Sequence, residues 1–228
     1  MKVSENTLKL LKNFAGINPS ILIRKGSLLV TQSIPGDILA EAQIQEDFPV
    51  EFGLYDLTEF LNTLKLFSSP ILDFSNADNN YVNICEEDDL SFKVKYTFAN
   101  KKHITYPKNR PVEEPRDIEF DLDIPTLDSI MKAANVMQLP NMIVLPSTDG
   151  NVRIEVSDMK DKSSNCFSID IKGTIESLTD FSAIFKMDSF KMLPNNYSVS
   201  IASSQKSSWE SENVDYYIGM HSKSWFKQ

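Results

Sequence analysis

Few side chains in this sequence could do chemistry. The two histidines, His103 and His221, stand without a nucleophile or carboxylate at a spacing that would make either a general base, and they read as surface or packing residues. Cys85 and Cys166 lie far apart with no CxxC pair, which fits a reducing compartment and argues against a disulfide scaffold or a zinc site. "CEEDDL", from Cys85 to Leu90, clusters carboxylates but lacks the spaced oxygen ligands of a calcium loop, so it reads as a charged hairpin turn. "SSNC", ending at Cys166, has no nearby base and no nucleophile elbow. There is no glycine-rich phosphate loop, and seven glycines in the whole chain leave little to build one. The chain reads as no enzyme, with no metal and no cofactor.

The lysines are more informative, because they recur on the helical segments. Lys2, Glu5, Lys9 and Lys12 follow one another at spacings of three, four and three, which places them on one face of an opening helix, while Thr7, Leu10, Leu11 and Phe14 turn another way. Lys65 accompanies a second helix, Lys132 a third, and Lys186 and Lys191 bracket a fourth. One such helix is a solvated face. Four of them suggest a shared surface that meets a polyanion, and pattern alone leaves both readings open.

The elements that carry these lysines repeat. The second helix is "DLTEFLNTLKLF", with Leu57, Phe60, Leu61 and Leu64 as its apolar stripe, Asp56 as N-cap and Glu59 in the capping-box position. The third is "TLDSIMKAANVM", with Thr126 near its start and Leu127, Ile130, Ala134 and Met137 as its stripe. The fourth, "MDSFKML", is barely more than a turn and stops before Pro194. Most of the remaining chain alternates with period two, as in "LSFKVKYTF", "NVRIEV", "FSIDI", "YSVSI" and "VDYYIGM", which predicts half-buried antiparallel strands. Leu8 maps onto Leu127 with an offset of 119 (127 − 8), and Leu11 and Ala15 then fall on Ile130 and Ala134. A strand hairpin is expected after each helix, "ILIRKGSLLV" and "NMIVLPSTDGNVRIEV". "VEFGLYDLTEFL" and "FSAIFKMDSFKM" match in kind, as strands running into short helices. Between the halves, "NKKHITYPKNRPVEEPRD" holds three prolines and eight charged residues and reads as an extended connector. The expected organisation is an α+β chain of two duplicated domains, 1–107 and 117–228, joined by a connector at 108–116 whose extended stretch starts near residue 100.

Composition agrees with a folded protein. The 228 residues are 41% hydrophobic and 10% aromatic, enough to bury a core. A net charge of −9 means that nucleic acid is not held by bulk charge, so any basic function is local. No apolar run approaches the ~20 residues of a membrane helix, and "MKVSENT" lacks the apolar core of a signal peptide. No membrane partner is expected.

"LLKNFA" (Leu10 to Ala15), "LYDLTEFL" (Leu54 to Leu61) and "FKMLPNNY" (Phe190 to Tyr197), supported by "VDYYIGM" (Val214 to Met220), resemble the DNA sliding clamps of large lytic tailed phages, the processivity factors of their polymerases. The order of these motifs extends the resemblance over the whole chain, with the middle of each domain and the linker matching least. The resemblance implies the DNA-clamp fold, with sheets outside, helices lining a hole, and three two-domain subunits closing a homotrimeric ring around double-stranded DNA. Lys9, Lys12, Lys65, Lys132, Lys186 and Lys191 are then DNA-facing. It implies a replicative DNA polymerase and an ATP-dependent clamp loader as partners, in the cytoplasm of an infected bacterial host. A hydrophobic partner peptide is expected in a pocket formed by Leu39, Ile104, Tyr106, Pro107, Tyr217 and Met220, the last two competing with an ordinary core role. Lys93, Val94 and Tyr96 of one subunit are expected to meet Phe167, Ile169 and Ile171 of the next. A structural or assembly protein built from duplicated β domains is the alternative; it would show no salt-sensitive association with DNA.

Overall fold

The computed structural model describes residues 1–109, 114–161 and 163–228. Residues 110–113, in the middle of the expected connector, lie outside the described residues. The chain forms two compact units. The first holds Met1–Pro35 and Leu39–Asn109; the second holds Gly36–Ile38 and the chain beyond Asn109.

The first unit opens with α1 (Glu5–Ile17), followed by β1 (Ile21–Ile23), β2 (Gly26–Gln32), β3 (Ile38–Phe48), β4 (Phe52–Leu54), α2 (Leu57–Leu64), β5 (Pro70–Asp73), β6 (Tyr81–Glu86) and β7 (Lys93–Thr97). α1 buries Thr7, Leu10, Leu11, Phe14 and Ile17, which recur at helical spacing. Ser4 caps it, its Oγ accepting the Thr7 N–H at 3.3 Å. The helix therefore starts after Lys2, which instead forms a 2.8 Å ion pair with Glu87 and does not share a helical face with Lys9 and Lys12. Asp56 caps α2, accepting the Glu59 N–H at 2.9 Å, and Leu57, Phe60 and Leu64 are buried below it.

The stretch "ILIRKGSLLV" is not a hairpin. β1 pairs antiparallel with β4, Ile21 opposite Leu54, and β2 pairs with β3, Leu29 opposite Ala42. The three residues of β1 are all buried, and Gly26 takes φ +109° where the chain leaves one pairing for the other, a conformation suited to glycine. β7 is also shorter than the alternation of "LSFKVKYTF" predicts. Leu90 and Phe92 stay 62% and 54% exposed before it begins, and among the described residues β7 pairs only with β6, in the order β5-β6-β7.

The second unit runs through β8 (Ile118–Leu122), α3 (Ile124–Met137), β9 (Asn141–Pro146), β10 (Val152–Ser157), β11 (Phe167–Ile171), β12 (Gly173–Ile175), β13 (Asp180–Lys186), β14 (Tyr197–Ala202), β15 (Lys206–Glu210), β16 (Asp215–Ile218) and β17 (Trp225–Lys227). Its strands form two antiparallel layers, β11-β10-β9-β13-β17 and β12-β8-β14-β15-β16. β9 and β10 form the expected hairpin, with Ile154 opposite Val144. α3 packs on β10 and β11 through Leu127, Ile130 and Ala134. It starts two residues before Thr126, because Asp123 is its cap and accepts the Thr126 N–H at 2.9 Å. Ser4 and Asp123 are again 119 apart (123 − 4), so the repeat reaches the caps. Trp209 is fully buried, its ring 5.2 Å from Phe190, 6.0 Å from Phe185 and 6.3 Å from Phe120. The fourth helical segment is a single 3-10 turn, Met187–Ser189.

The fold is α+β, with duplicated domains of antiparallel sheet and short helices.

Candidate functional site

All six candidate lysines are exposed. Lys9 and Lys12 lie on α1 away from its buried stripe, and Lys132 stands on α3 away from Leu127, Ile130 and Ala134. Lys65 is the C-cap residue of α2, its Nζ donating to Asn62 Oδ1 at 3.0 Å. Lys186 ends β13 and Lys191 follows the 3-10 turn, so those two bracket it as the sequence predicts.

Some lysines elsewhere are paired. Lys101 pairs with Glu51 at 2.8 Å and Lys227 with Asp180 at 3.7 Å. Among the described residues Lys9, Lys12, Lys132 and Lys186 form no ion pair, so each keeps its charge available at the end of a flexible stem. Such ammonium groups meet phosphates as point charges and read no base edge. In each unit the helices thus present apolar residues to the sheets and uncompensated lysine outward.

The residues expected at the partner pocket are found in two places. In the first unit, Ile104, Tyr106 and Pro107 follow a 3-10 turn at Lys101–His103. Asn18 Nδ2 donates to Thr105 O at 3.0 Å and Arg24 Nη2 to Pro107 O at 2.9 Å, so this segment is docked on its own unit. Ile104 and Pro107 are buried and Tyr106 half-buried. Ile104 covers the backbone of Gly53, where an added Cβ would fall 2.3 Å from Ile104 Cδ1. Leu39, in β3, is half-buried. In the second unit Tyr217 lies on β16 and Met220 just beyond it, both half-buried. Between them Gly219 N–H donates to Asp37 O at 2.8 Å, and Asp37 also accepts the Ser189 hydroxyl at 3.1 Å. Periodicity gave no sign of Asn18 and Arg24, whose bonds reach 87 and 83 residues along the chain.

Among the described residues the strands expected to meet across subunits are both terminal in their sheets: β7 beside β6, and β11 beside β10. Lys93 is exposed, while Val94, Phe167, Ile169 and Ile171 are half-buried. Tyr96 is engaged within its own unit. Its ring lies 5.1 Å from that of Phe60 and its hydroxyl donates to Asp56 O at 3.2 Å. Burial, with the charges of Glu59 and Asp56, pushes its hydroxyl pKa up to about 12.

Open grooves lie elsewhere on the described residues. One of about 650 Å³ is lined by Met1, Ile71, Cys85, Leu90 and Lys93; another of about 530 Å³ is lined by Asp121, Asp123, Glu210 and Glu212. Neither contains a residue expected at the partner pocket. Among the described residues no three His, Cys, Asp or Glu side chains are grouped to hold a metal ion, and no helix is long and apolar enough to cross a membrane.

The family of DNA polymerase processivity factors matches residues 2–97. The sliding clamp of Vibrio phage KVP40 is 31% identical over 222 residues, covering 96% of this chain and 98% of that protein. The sliding clamp of Escherichia phage RB69 is 27% identical over 234 residues, covering 98% of each. Among solved structures, the proliferating cellular nuclear antigen of Entamoeba histolytica superposes with a TM-score of 0.69 at 15% identity, covering 94% of each chain. The beta clamp of Helicobacter pylori gives a TM-score of 0.70 at 15% identity, over 96% of this chain and 64% of that one. These likenesses establish the same fold, and the near-full-length identity to phage proteins goes further: the chain belongs to the sliding clamps, the processivity factors of DNA polymerases.

Proposed function

We propose that three copies of this chain close a ring around double-stranded DNA and tether a replicative polymerase to it, after an ATP-dependent loader has opened the ring. The observation that carries this reading is the set of exposed lysines without ion pairs on helix faces of both units, in a chain of net charge −9. At a net charge of −9 bulk charge does not hold DNA, and phosphate contact without base contact leaves the energy nearly constant along the duplex. Topology then supplies retention. Tethering raises the polymerase's local concentration, so that dissociation is followed by fast rebinding.

Ring closure needs two different edges, and β7 and β11 are the pair for which the terminal positions and half-buried apolar residues argue. The polymerase peptide is assigned to Leu39, Ile104, Tyr106, Pro107, Tyr217 and Met220, and the segment 108–116 to the connector between the two clamp domains. The phage relatives argue for action in the cytoplasm of an infected bacterium. The clamp chain itself is assigned no step that makes or breaks a covalent bond.

The test is a charge reversal. Substituting Lys9, Lys12, Lys65, Lys132 and Lys191 together by Glu is expected to abolish processive synthesis while the mass in solution stays that of a trimer. Each single Lys→Ala change is expected to lower the log–log salt slope of DNA association by up to about 1. Normal processivity by an intact multi-Glu ring would refute the assignment.

A further inference from the structure

The two long helices carry the same arrangement of charge on the side away from their buried stripes. On α1 Glu5 precedes Lys9 by four residues, and on α3 Asp128 precedes Lys132 by four. All four side chains are exposed, and neither acid forms an ion pair among the described residues. Side chains four apart on a helix are neighbours, with about 5–6 Å between their Cβ atoms. Each acid therefore stands beside its lysine without capturing the ammonium, and its field subtracts from what the lysine offers a phosphate. The acids at the helix starts are committed elsewhere. Glu46 accepts the Ser4 N–H and the Thr7 hydroxyl, and Asp123 caps α3 through the Thr126 N–H at 2.9 Å.

Lys12 differs. Leu8 and Lys9 stand one turn before it and Ala15 and Gly16 one turn after it, so no acid of its own helix offsets it. α3 offers no counterpart to this second lysine. Beyond Lys132 its outward side continues with Asn135 and with Val136, which is 83% exposed and has no group to bind a phosphate.

We infer that Glu5 and Asp128 tune sliding: each weakens the phosphate contact of the lysine one turn further along its helix, leaving Lys12 as the strongest contact of the two long helices. This rests on the reading that these lysines meet duplex phosphates, and it adds how strongly each one does. Weak, distributed contact keeps the energy wells along the backbone shallow, which a tether that must move requires.

The log–log salt slope of association between the intact trimer and a short labelled duplex tests this. Lys12→Ala should lower the slope by about 0.9, the value of one full phosphate contact, and Lys9→Ala and Lys132→Ala each by less than about half of that. In a Glu5→Gln background the loss at Lys9→Ala should reach about 0.9, and in an Asp128→Asn background so should the loss at Lys132→Ala. Glu212→Gln, which removes an exposed acid between β15 and β16, should leave the slope where it was. Equal losses at Lys9, Lys12 and Lys132 in the native sequence would overturn the inference. So would acid substitutions that leave the lysine losses unchanged, or a rise at Glu212→Gln as large as that at Asp128→Asn. Glu5 lies in the first turn of α1, where an acid also favours the helix itself. A lower urea midpoint for Glu5→Gln with an unchanged salt slope would show that role alone and overturn the assignment. Trimer mass and processive synthesis, measured on the same samples, separate the two readings. A loss at Lys12 with no effect of the acids fails only this inference, whereas no loss at any of the three lysines fails the DNA-facing reading and this inference with it.

Discussion

The two units fill the same position in different ways. In the first, a strand runs into α2, a two-turn helix with a side-chain cap at Asp56 and a buried stripe of Leu57, Phe60 and Leu64. In the second, β13 runs into the turn Met187–Ser189, with no side-chain cap at its start. The turn is held from outside instead. Met187 N–H donates to Pro140 O at 2.9 Å, and Phe190 packs edge-on against Phe185 and Trp209. A helix that stabilises itself can be replaced by a turn once neighbouring strands supply the packing, and the lysines it carries keep their exposure.

The difference is open to attack at three depths. The largest effect is expected in the cores. Phe60→Ala and Phe190→Ala should each cost about 3–5 kcal/mol in urea unfolding, because both rings are buried. A loss at Phe190 far below that at Phe60 would show that the turn does not depend on its aromatic neighbours.

Next comes the cap. Asp56→Ala should cost about 1 kcal/mol, whereas Asp188→Ala, at a position without a capping bond, should change stability by less than about 0.5 kcal/mol. Equal losses would mean that the turn has a cap of its own.

The smallest effect concerns the starts of α1 and α3. Glu46 accepts both the Ser4 N–H and, at 2.5 Å, the Thr7 hydroxyl, while the corresponding support at α3 is an uncharged amide, Asn196 Oδ1 accepting the Ile124 N–H at 3.0 Å. Burial pushes the Glu46 carboxyl up, but the bonds from Thr7 and Ser4 together outweigh it and leave the carboxyl below its ordinary range. Its contribution is therefore complete above the unfolded value and is lost as pH falls through the lower folded value. Glu46→Gln should flatten the acid limb of the stability curve, and Asn196→Asp should not. Identical acid limbs for wild type and Glu46→Gln would remove Glu46 from the account.

Local signals made the helices legible in sequence. The stripes of α1 and α3, the cap at Asp56 and the brevity of the fourth segment all follow from residues within one or two turns of one another. The errors arose where partners are distant. "ILIRKGSLLV" looks like a hairpin because both strands flank a turn, yet β1 takes its partner from residues 52–54. Nothing local announces that Leu90 and Phe92 stay outside β7, or that Trp225–Lys227 adds a strand against Asp180–Ser182. The candidate lysines could be picked out because exposure on a helix follows from the apolar period. The bonds that hold Ile104 to Pro107 could not, because Asn18 and Arg24 reach them across most of a domain.

The burial of Trp209 also fixes what light can report about this molecule. The chain has two tryptophans, and both belong to the second unit: Trp209 sealed among aromatic rings and Trp225 41% exposed on the final strand. Indole emission therefore carries two signals from one half, a buried emitter and a partly wet one, while the first half emits only through tyrosines such as Tyr55, Tyr81, Tyr96 and Tyr106. An optical melting curve excited at the red edge is thus a record of one domain, and backbone dichroism, which sees both, is the natural second channel for watching the halves come apart.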